Sequence, residues 1–501
     1  MLSQFLFLLS LPLFCVLYLL PKIINNNSKL NPPGPRGLPV IGNLHQIDQS
    51  SLHTSLWDLT KRYGPIMSLR FGFNSAVVIS SATLAKEILK TQDLIFCDRP
   101  LFTGQRKITY EGVDVAFSPY SEHWREMRKI FTLHLFNPKR VQSLRSIRED
   151  EVSSAMNTIH DCALSYKKVN LSDMMKNVTN DIMLRVSFGK RYQDVQERTK
   201  VFRLLDEIQA YLVDLHLSDV WPGLPFVGLV DQLMGKKRRL EKCFRDLDAF
   251  YQQLIDEHLN HQEHKPYAKE EDGIDIMLQL MKDKHFNLNH EHIKAMIMDI
   301  LVAGTDTGAA VVVWAMTLLI TNPKVMNKAQ EEVRNLIGKN DKVNEDDLPK
   351  LSYLKAVIKE TLRLYPPVPL LVPRETRKDA IVQGYNIKHK TLVYVNAYAI
   401  ARDPKYWENP EEFLPERFLG DCDIDFKGND FEFIPFGAGR RICPGISIGV
   451  IVVELLLANL LYLFNWRLPD KVRKEDIDFD VMPGITIHKK NKLFLLADVC
   501  F

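Results

Sequence analysis

Apolar positions along the chain fall into runs of three kinds, and each predicts a different element. Residues Met1 to Leu20 are almost wholly apolar, broken only by Ser3, Gln4, Ser10 and Pro12, and about twenty residues is what a helix needs to span a bilayer. No charged segment opens this run and no small-x-small site precedes Pro21, so it reads as an uncleaved anchor rather than a signal peptide. Lys22, Lys29 and Arg36 follow it, which places the bulk of the chain on the cytosolic side by the positive-inside rule. Closely spaced prolines from Asn31 to Pro39 then deny backbone donors and stiffen the lead-out. The expected organisation is an anchor over 1–21, a proline-rich hinge over 22–40 and one folded domain over 41–501.

Within that domain, β-branched and aromatic residues from Ile66 to Ile79, with Gly72 and Asn74 between them, predict a hairpin. Helical spacing starts at Ala82. Residues 100–119 are irregular, and a loop of that length in a folded domain is often a binding element. Long amphipathic helices fill 140–285, interrupted around Trp221. Asn289 is placed to cap a helix that runs to about Ile320 and stops before Pro323; at about 1.5 Å per residue it would exceed 40 Å. Val311 to Ile320 is apolar enough to suggest a second membrane span, but Asp306 in the same helix is costly in lipid. A last apolar helix runs from Ile446 to Phe464.

Composition narrows the function. A hydrophobic content of 46% with 25% charged residues is ordinary for a globular chain, and a formal charge of +3 is too small to imply nucleic acid. The seven cysteines are scattered without paired spacing, and an odd count fits a reducing compartment better than a disulfide framework.

One cysteine has chemical context. Residues 436–445 read Phe-Gly-Ala-Gly-Arg-Arg-Ile-Cys-Pro-Gly, so Cys443 sits in a glycine-bounded turn where the backbone can bend around a sulfur and approach a ligand. A thiolate there would hold haem iron and favour O–O cleavage, with Arg441 offering charge nearby. The alternative is a buried free cysteine, the ordinary reading of a lone thiol. In the middle of the long helix, Ala303-Gly-Thr-Asp-Thr307 carries a glycine and hydroxyls that weaken regular pairing and predict a groove. Trp124 and Arg128 lie four apart on a predicted helix and can reach one acidic group. Glu360 and Arg363, three apart, can pair across one turn.

The pattern Phe-x-x-Gly-x-Arg-x-Cys-x-Gly, filled by Phe436, Gly439, Arg441, Cys443 and Gly445, resembles the haem-binding motif of the cytochrome P450 family. Hinge, central helix, Glu360-x-x-Arg363, Pro415-Glu-Arg-Phe418 and cysteine loop follow in that family's order. The wording is similar to plant microsomal members of the A-type group, including aldoxime-metabolising ones. The resemblance implies a cytochrome P450 fold, mainly α with a small β portion, and haem b with Cys443 as axial thiolate. Trp124, Arg128 and Arg374 would meet its propionates, with Phe436 and Arg441 beside it. Asp306 and Thr307 would serve as catalytic acid and alcohol, and Glu360, Arg363 and Arg417 as a buried structural triad. Gly308 stands where the family usually has Thr or Ser. The implied activity is a haem-thiolate monooxygenase of plant specialised metabolism acting on a small lipophilic substrate with dioxygen. Its electrons come from NADPH through cytochrome P450 reductase, an acidic partner received near Arg125, Lys129, Lys139 and Arg140. Cytochrome b5 is a second candidate partner, and the endoplasmic reticulum membrane the expected location, with the catalytic domain facing the cytosol. Two alternatives stand beside this: oxidation of an aldoxime in defence metabolism, or an isomerase or dehydratase that needs no external oxygen.

Overall fold

Residues 33–35 of the expected proline-rich hinge lie against the start of the folded domain. The computed structural model describes residues 30–500 apart from 193, 225, 263–270, 284–285 and 339; the expected anchor over 1–21 lies outside the described residues. Ser68 N–H donates to the Pro33 carbonyl at 2.8 Å, and the Asn43 amide donates to the Pro35 carbonyl at 3.0 Å. A Cβ on Gly34 would stand 2.0 Å from the Ser68 carbonyl oxygen, so only glycine fits this approach.

The predicted hairpin forms from β1 (Ile66–Phe71) and β2 (Asn74–Ile79), paired antiparallel from Ile66 opposite Ile79 to Phe71 opposite Asn74. Residues 100–119 were expected to be irregular throughout, yet Thr103–Ile108 closes into a short helix. The helices that matter for the site follow: α1 (Glu122–Ile130), α2 (Arg145–Leu164), α3 (Leu171–Phe188), α4 (Val195–Val213), α5 (Lys236–Gln262), α6 (His290–Thr321) and α7 (Ser352–Leu364). Strands β3 (Arg374–Glu375) and β4 (Leu392–Val395) complete a four-stranded sheet in the order β1-β2-β4-β3, with β2 and β4 parallel. Helix α8 (Ile446–Leu463) leads into β5 (Phe464–Arg467), which pairs antiparallel with β6 (Phe494–Val499).

Helix α6 is the axis of the molecule. Asn289 caps it as expected, its side-chain oxygen accepting from His292 N–H at 2.9 Å. Both α6 and α8 are long and apolar enough to cross a membrane, but 78% of the most apolar window of α6 is buried within the protein. It is a core helix, in keeping with Asp306 in its middle. Helix α3 lies directly on that middle: the Thr179 hydroxyl donates to the Thr305 carbonyl at 2.8 Å, and a Cβ on Gly304 would meet Met183 Sδ at 2.6 Å. The structure shows no break at Ala303–Thr307, where a groove was expected, because each hydroxyl stays on its own helix: Thr305 donates to the Leu301 carbonyl at 2.7 Å and Thr307 to the Ala303 carbonyl at 2.8 Å.

On the other side of the core, Glu360, Arg363 and Arg417 form the expected triad. Arg363 holds both carboxylate oxygens of Glu360, at 2.7 and 2.8 Å, and Arg417 Nε reaches one of them at 3.1 Å. The remaining guanidinium donors go to the Ala401, Pro410, Glu412, Glu408 and Asn409 carbonyls. This ties α7 to the segment that leads to the cysteine loop.

Candidate active site

The cysteine loop is shaped by its glycines. Gly437 and Gly439 have φ of +71° and +69°, a region that costs other residues strain, and a Cβ on Gly439 would come within 1.9 Å of the Leu89 carbonyl oxygen. The turn closes as Ile442 N–H donates to the Gly439 carbonyl at 3.1 Å and Cys443 N–H to the Phe436 carbonyl at 3.0 Å. Phe436 anchors the start of the loop edge-on to Phe426, with ring centroids 5.3 Å apart. Cys443 is a free thiol. Burial pushes that thiol up, while the Gly445 N–H and the Arg128 guanidinium pull it down without cancelling the rise. A thiol in this setting becomes a thiolate when a metal ion supplies the missing positive charge, which suits an iron ligand.

Arg441 of the loop lies close to two further buried arginines, Arg99 and Arg374, that arrive from different parts of the chain. Arg441 donates to the carbonyls of Cys97 at 2.9 Å, Ser118 at 2.6 Å and Val115 at 3.3 Å, and lies over the Trp124 ring at 4.2 Å. Arg99 donates to Ala116 at 3.0 Å and Pro373 at 2.8 Å, and also to Val372. Arg374 makes only long bonds, to Ala438 at 3.3 Å and Phe96 at 3.4 Å. Among the described residues none of the three has a carboxylate in an ion pair. Burial and then the neighbouring guanidinium charge bring Arg441 down to about 10. Burial brings Arg374 to about 10 as well, and Arg99 falls well below the usual arginine range, again by burial first and then by its neighbours' charge. Clustered buried cations are costly without a counter-charge, and guanidinium forks match carboxylates. A planar group with a metal for Cys443 and two carboxylates for these arginines fits this donor set.

Trp124 and Arg128 both lie on α1 but do not share an acceptor. The Trp124 indole donates to the Val115 carbonyl at 3.0 Å; Arg128 donates to the Ile442 carbonyl, with its charge beside the Cys443 thiol. Arg128 thus stands at the sulfur side and Trp124 at the arginine side. Arg99 was not singled out in the sequence, and an isolated Arg-Pro pair offers little to find it by.

On α6, Ala303 is exposed and Thr307 half-buried on a helix otherwise largely closed by protein. Four residues apart, they share one face. The Asp306 carboxylate points elsewhere: it is 2.8 Å from His488 Nε2, and the Gln209 amide, turned with its nitrogen inward, lies 3.3 Å from both its oxygens. Burial raises this carboxyl, but hydrogen bonding and charge from His488, the charge of Lys176 and the Thr486 hydroxyl more than offset it, leaving Asp306 below the ordinary carboxylate range. A second acidic group was also missed. Asp299 accepts from Val115 N–H at 2.7 Å and Asp114 from Phe117 N–H at 2.8 Å. The two buried carboxyls face each other; burial first, and their proximity for Asp299, raise both, Asp114 to about 6.

Comparison with known proteins identifies the family and the fold. The cytochrome P450 family model matches residues 32–496. The chain is 49% identical over 475 residues to a 6,7,8-trihydroxycoumarin synthase of Pastinaca sativa, covering 93% of this chain and 92% of that protein. It is also 49% identical over 473 residues to a 5-OH-xanthotoxin synthase of the same plant, with the same coverage. Among solved structures, a zebra fish cytochrome P450 with abiraterone shares 24% identity with a TM-score of 0.75, covering 89% of this chain and 99% of that one.

Proposed function

The chain belongs to the cytochrome P450 family, and from that premise we propose how its residues serve a haem-thiolate monooxygenase of plant specialised metabolism. Haem b would be held by Cys443, Arg99, Arg374 and Arg441, with Trp124 and Phe436 at its edges. When bound, it supplies activation of dioxygen, using electrons that NADPH delivers through a reductase. The observation that carries this reading is the desolvated Cys443 thiol in one loop with Arg441, which lies close to the buried Arg99 and Arg374, none of the three arginines being ion-paired to a carboxylate among the described residues.

The residues then divide the work. Arg128 and the Gly445 N–H stabilise negative charge at Cys443 Sγ. Arg99, Arg374 and Arg441 neutralise two carboxylates and fix the orientation of the group that carries them. Thr307 holds a hydroxyl proton on the open face of α6, bonded for now to the Ala303 carbonyl, and Asp306 supplies protons to that face. Apolar residues of 100–119, 366–372 and 481–486 exclude bulk water and receive the substrate. The basic residues Arg125, Lys129, Lys139 and Arg140 suit an acidic reductase, and cytochrome b5 is a further partner for the same surface. The chain is held in the endoplasmic reticulum membrane by residues 1–21, followed by a hinge over 22–40, with the catalytic domain of residues 41–501 in the cytosol.

For the substrate we infer a flat oxygen heterocycle of the coumarin type, hydroxylated on its aromatic carbon framework. The names of the two plant relatives support it; neither the aldoxime alternative nor the oxygen-independent isomerase draws support from them. The test is turnover by microsomes carrying the full chain and its reductase, with and without NADPH, against hydroxycoumarins, xanthotoxin, aldoximes, terpenoids and simple phenolics. NADPH-dependent hydroxylation of a coumarin is expected. Turnover of another scaffold with coumarins untouched overturns the substrate class, and turnover without NADPH overturns the monooxygenase.

A further inference from the structure

The acid and the alcohol on α6 look in different directions, and the acid is engaged from outside the helix. Asp306 is 6% exposed, and the partner 2.8 Å from its Oδ2 is His488 Nε2. The His488 side chain is 30% exposed against 9% for that of Asp306, so the imidazole lies between the carboxylate and solvent. Its position is fixed by the loop that carries it. Met482 N–H donates to the His488 carbonyl at 2.8 Å, Ile487 N–H to the Pro367 carbonyl at 2.8 Å, and the Trp314 indole of α6 to the Ile487 carbonyl at 3.0 Å.

The other groups around Asp306 do not titrate near neutral pH as an imidazole does, although the Thr486 hydroxyl can pass a proton. Gln209 of α4 and Thr486 of the same loop are neutral. Lys176 of α3 contributes charge but is bonded to Asp206 of α4, and Lys489, next to His488, is bonded to Asp478 at 3.0 Å. An imidazole has two ring nitrogens and can release a proton at one while taking one up at the other. On the reading that Asp306 and Thr307 deliver protons, we propose that His488 is the solvent-side station of that route, a positioning and relay residue for Asp306. One proton passes from His488 Nε2 to Asp306 Oδ2, the ring takes a replacement from solvent at Nδ1, and Asp306 hands its proton inward. No electron moves and the net result is one proton carried in. Asp306 and Thr307 are about 100° apart around the helix, so the inner hop runs through rotation of the acid or through one water.

The test compares wild type, His488→Gln and Asp306→Asn as full-length holoenzymes with reductase. Glutamine keeps a hydrogen bond to Asp306 but cannot relay. In the resting enzyme, the infrared band of the protonated Asp306 carboxyl, assigned by its loss in Asp306→Asn, should appear at higher pH in His488→Gln than in wild type. With NADPH and the substrate selected by the panel above, His488→Gln should yield several-fold less product per NADPH, more peroxide and an altered solvent isotope effect. Turnover driven by cumene hydroperoxide, which bypasses proton delivery, should be unchanged. In His488→Gly, added imidazole should restore coupling, which covers the case of a glutamine variant that folds poorly. Wild-type coupling in His488→Gln beside an uncoupled Asp306→Asn would overturn the relay and leave the proton route standing. An equal fall in hydroperoxide-driven turnover would make His488 merely structural. Normal coupling in Asp306→Asn would remove the route and the relay together.

Discussion

Replacing Glu360 by Gln is a sharp probe of how the haem-side core is held. The Glu360 and Arg363 side chains are both fully buried and that of Arg417 is 9% exposed, so solvent screens little of their interaction. The substitution removes the one negative charge between two guanidiniums and turns an amide donor toward guanidinium donors. The Leu414 N–H, which donates to Glu360 at 2.9 Å, also stands to lose its charged acceptor. Removing one partner of a buried ion pair costs about 3–5 kcal/mol. The carbonyls that take the other arginine donors leave part of the cluster satisfied, so the lower end, about 3 kcal/mol, is expected. At about 2.1 cal/mol/K of unfolding entropy per residue, a chain of 501 residues carries about 1 kcal/mol/K, which converts that loss into about 3 °C. The assay is loss of the thiolate-type carbon monoxide spectrum on heating at a fixed scan rate, since unfolding of a chain this size is a rate measurement. Arg473→Ala is the control: its pair with Asp476 is exposed and screened by solvent, so its loss should leave the midpoint nearly unmoved. An unchanged midpoint in Glu360→Gln, or an equal shift in the control, would refute the view that this buried charge cluster supports the core.

Further outcomes follow from the same geometry. Cys443→Ala or Cys443→His should abolish the thiolate-type carbon monoxide spectrum of the reduced enzyme; retention of that spectrum would dismiss Cys443 as the ligand. Gly439→Ala should reduce haem content severely, because its Cβ would meet the Leu89 carbonyl oxygen at 1.9 Å and its φ is +69°; full haem occupancy at wild-type yield contradicts this. Burial raises Asp114 to about 6, above the unfolded carboxylate value of about 3.9. A carboxyl raised on folding favours the folded state at low pH and gives that advantage up as pH climbs through its folded value. Asp114→Asn should therefore gain in thermal midpoint over wild type between about pH 4 and about pH 6, then level off; a difference independent of pH would show that Asp114 does not titrate there.

What the residues alone made readable, apart from the reach of Arg417 to Glu360 that the family resemblance supplied, shares one property: it depends on neighbours a few residues away. The β1–β2 hairpin, the Asn289 cap, the Glu360–Arg363 pair and the glycines around Cys443 are local patterns. Contacts between distant segments were not legible in this way. Trp124 and Arg128 share a helix, as their spacing predicts, but spacing does not say that one faces the carbonyl of Val115 and the other that of Ile442. Likewise Asp306 was visible as an acid in a central helix, whereas its partner His488 is brought to it by the fold of a loop near the other end of the chain. The Thr103–Ile108 helix was hidden because glycine and proline around it weigh toward irregular structure, while its stability comes from contacts such as the Gln105 amide on the Leu212 carbonyl at 3.0 Å.

The three arginines extend this from single contacts to the site as a whole. Each binds carbonyls on segments other than its own: Arg441 those of Cys97, Val115 and Ser118, Arg99 those of Ala116, Val372 and Pro373, Arg374 those of Phe96 and Ala438. The loop over 100–119, strand β3 and the cysteine loop are therefore joined through the same guanidiniums that would meet the haem carboxylates. Carbonyl dipoles lower the cost of burying these cations but carry no net charge, so a dianion in their midst strengthens the junction as well as the site. Order in the loop over 100–119 and retention of the haem should then rise and fall together. A substitution at Arg99, remote in sequence from Cys443, acts on both because its donors hold Ala116 in one segment and Pro373 in the other.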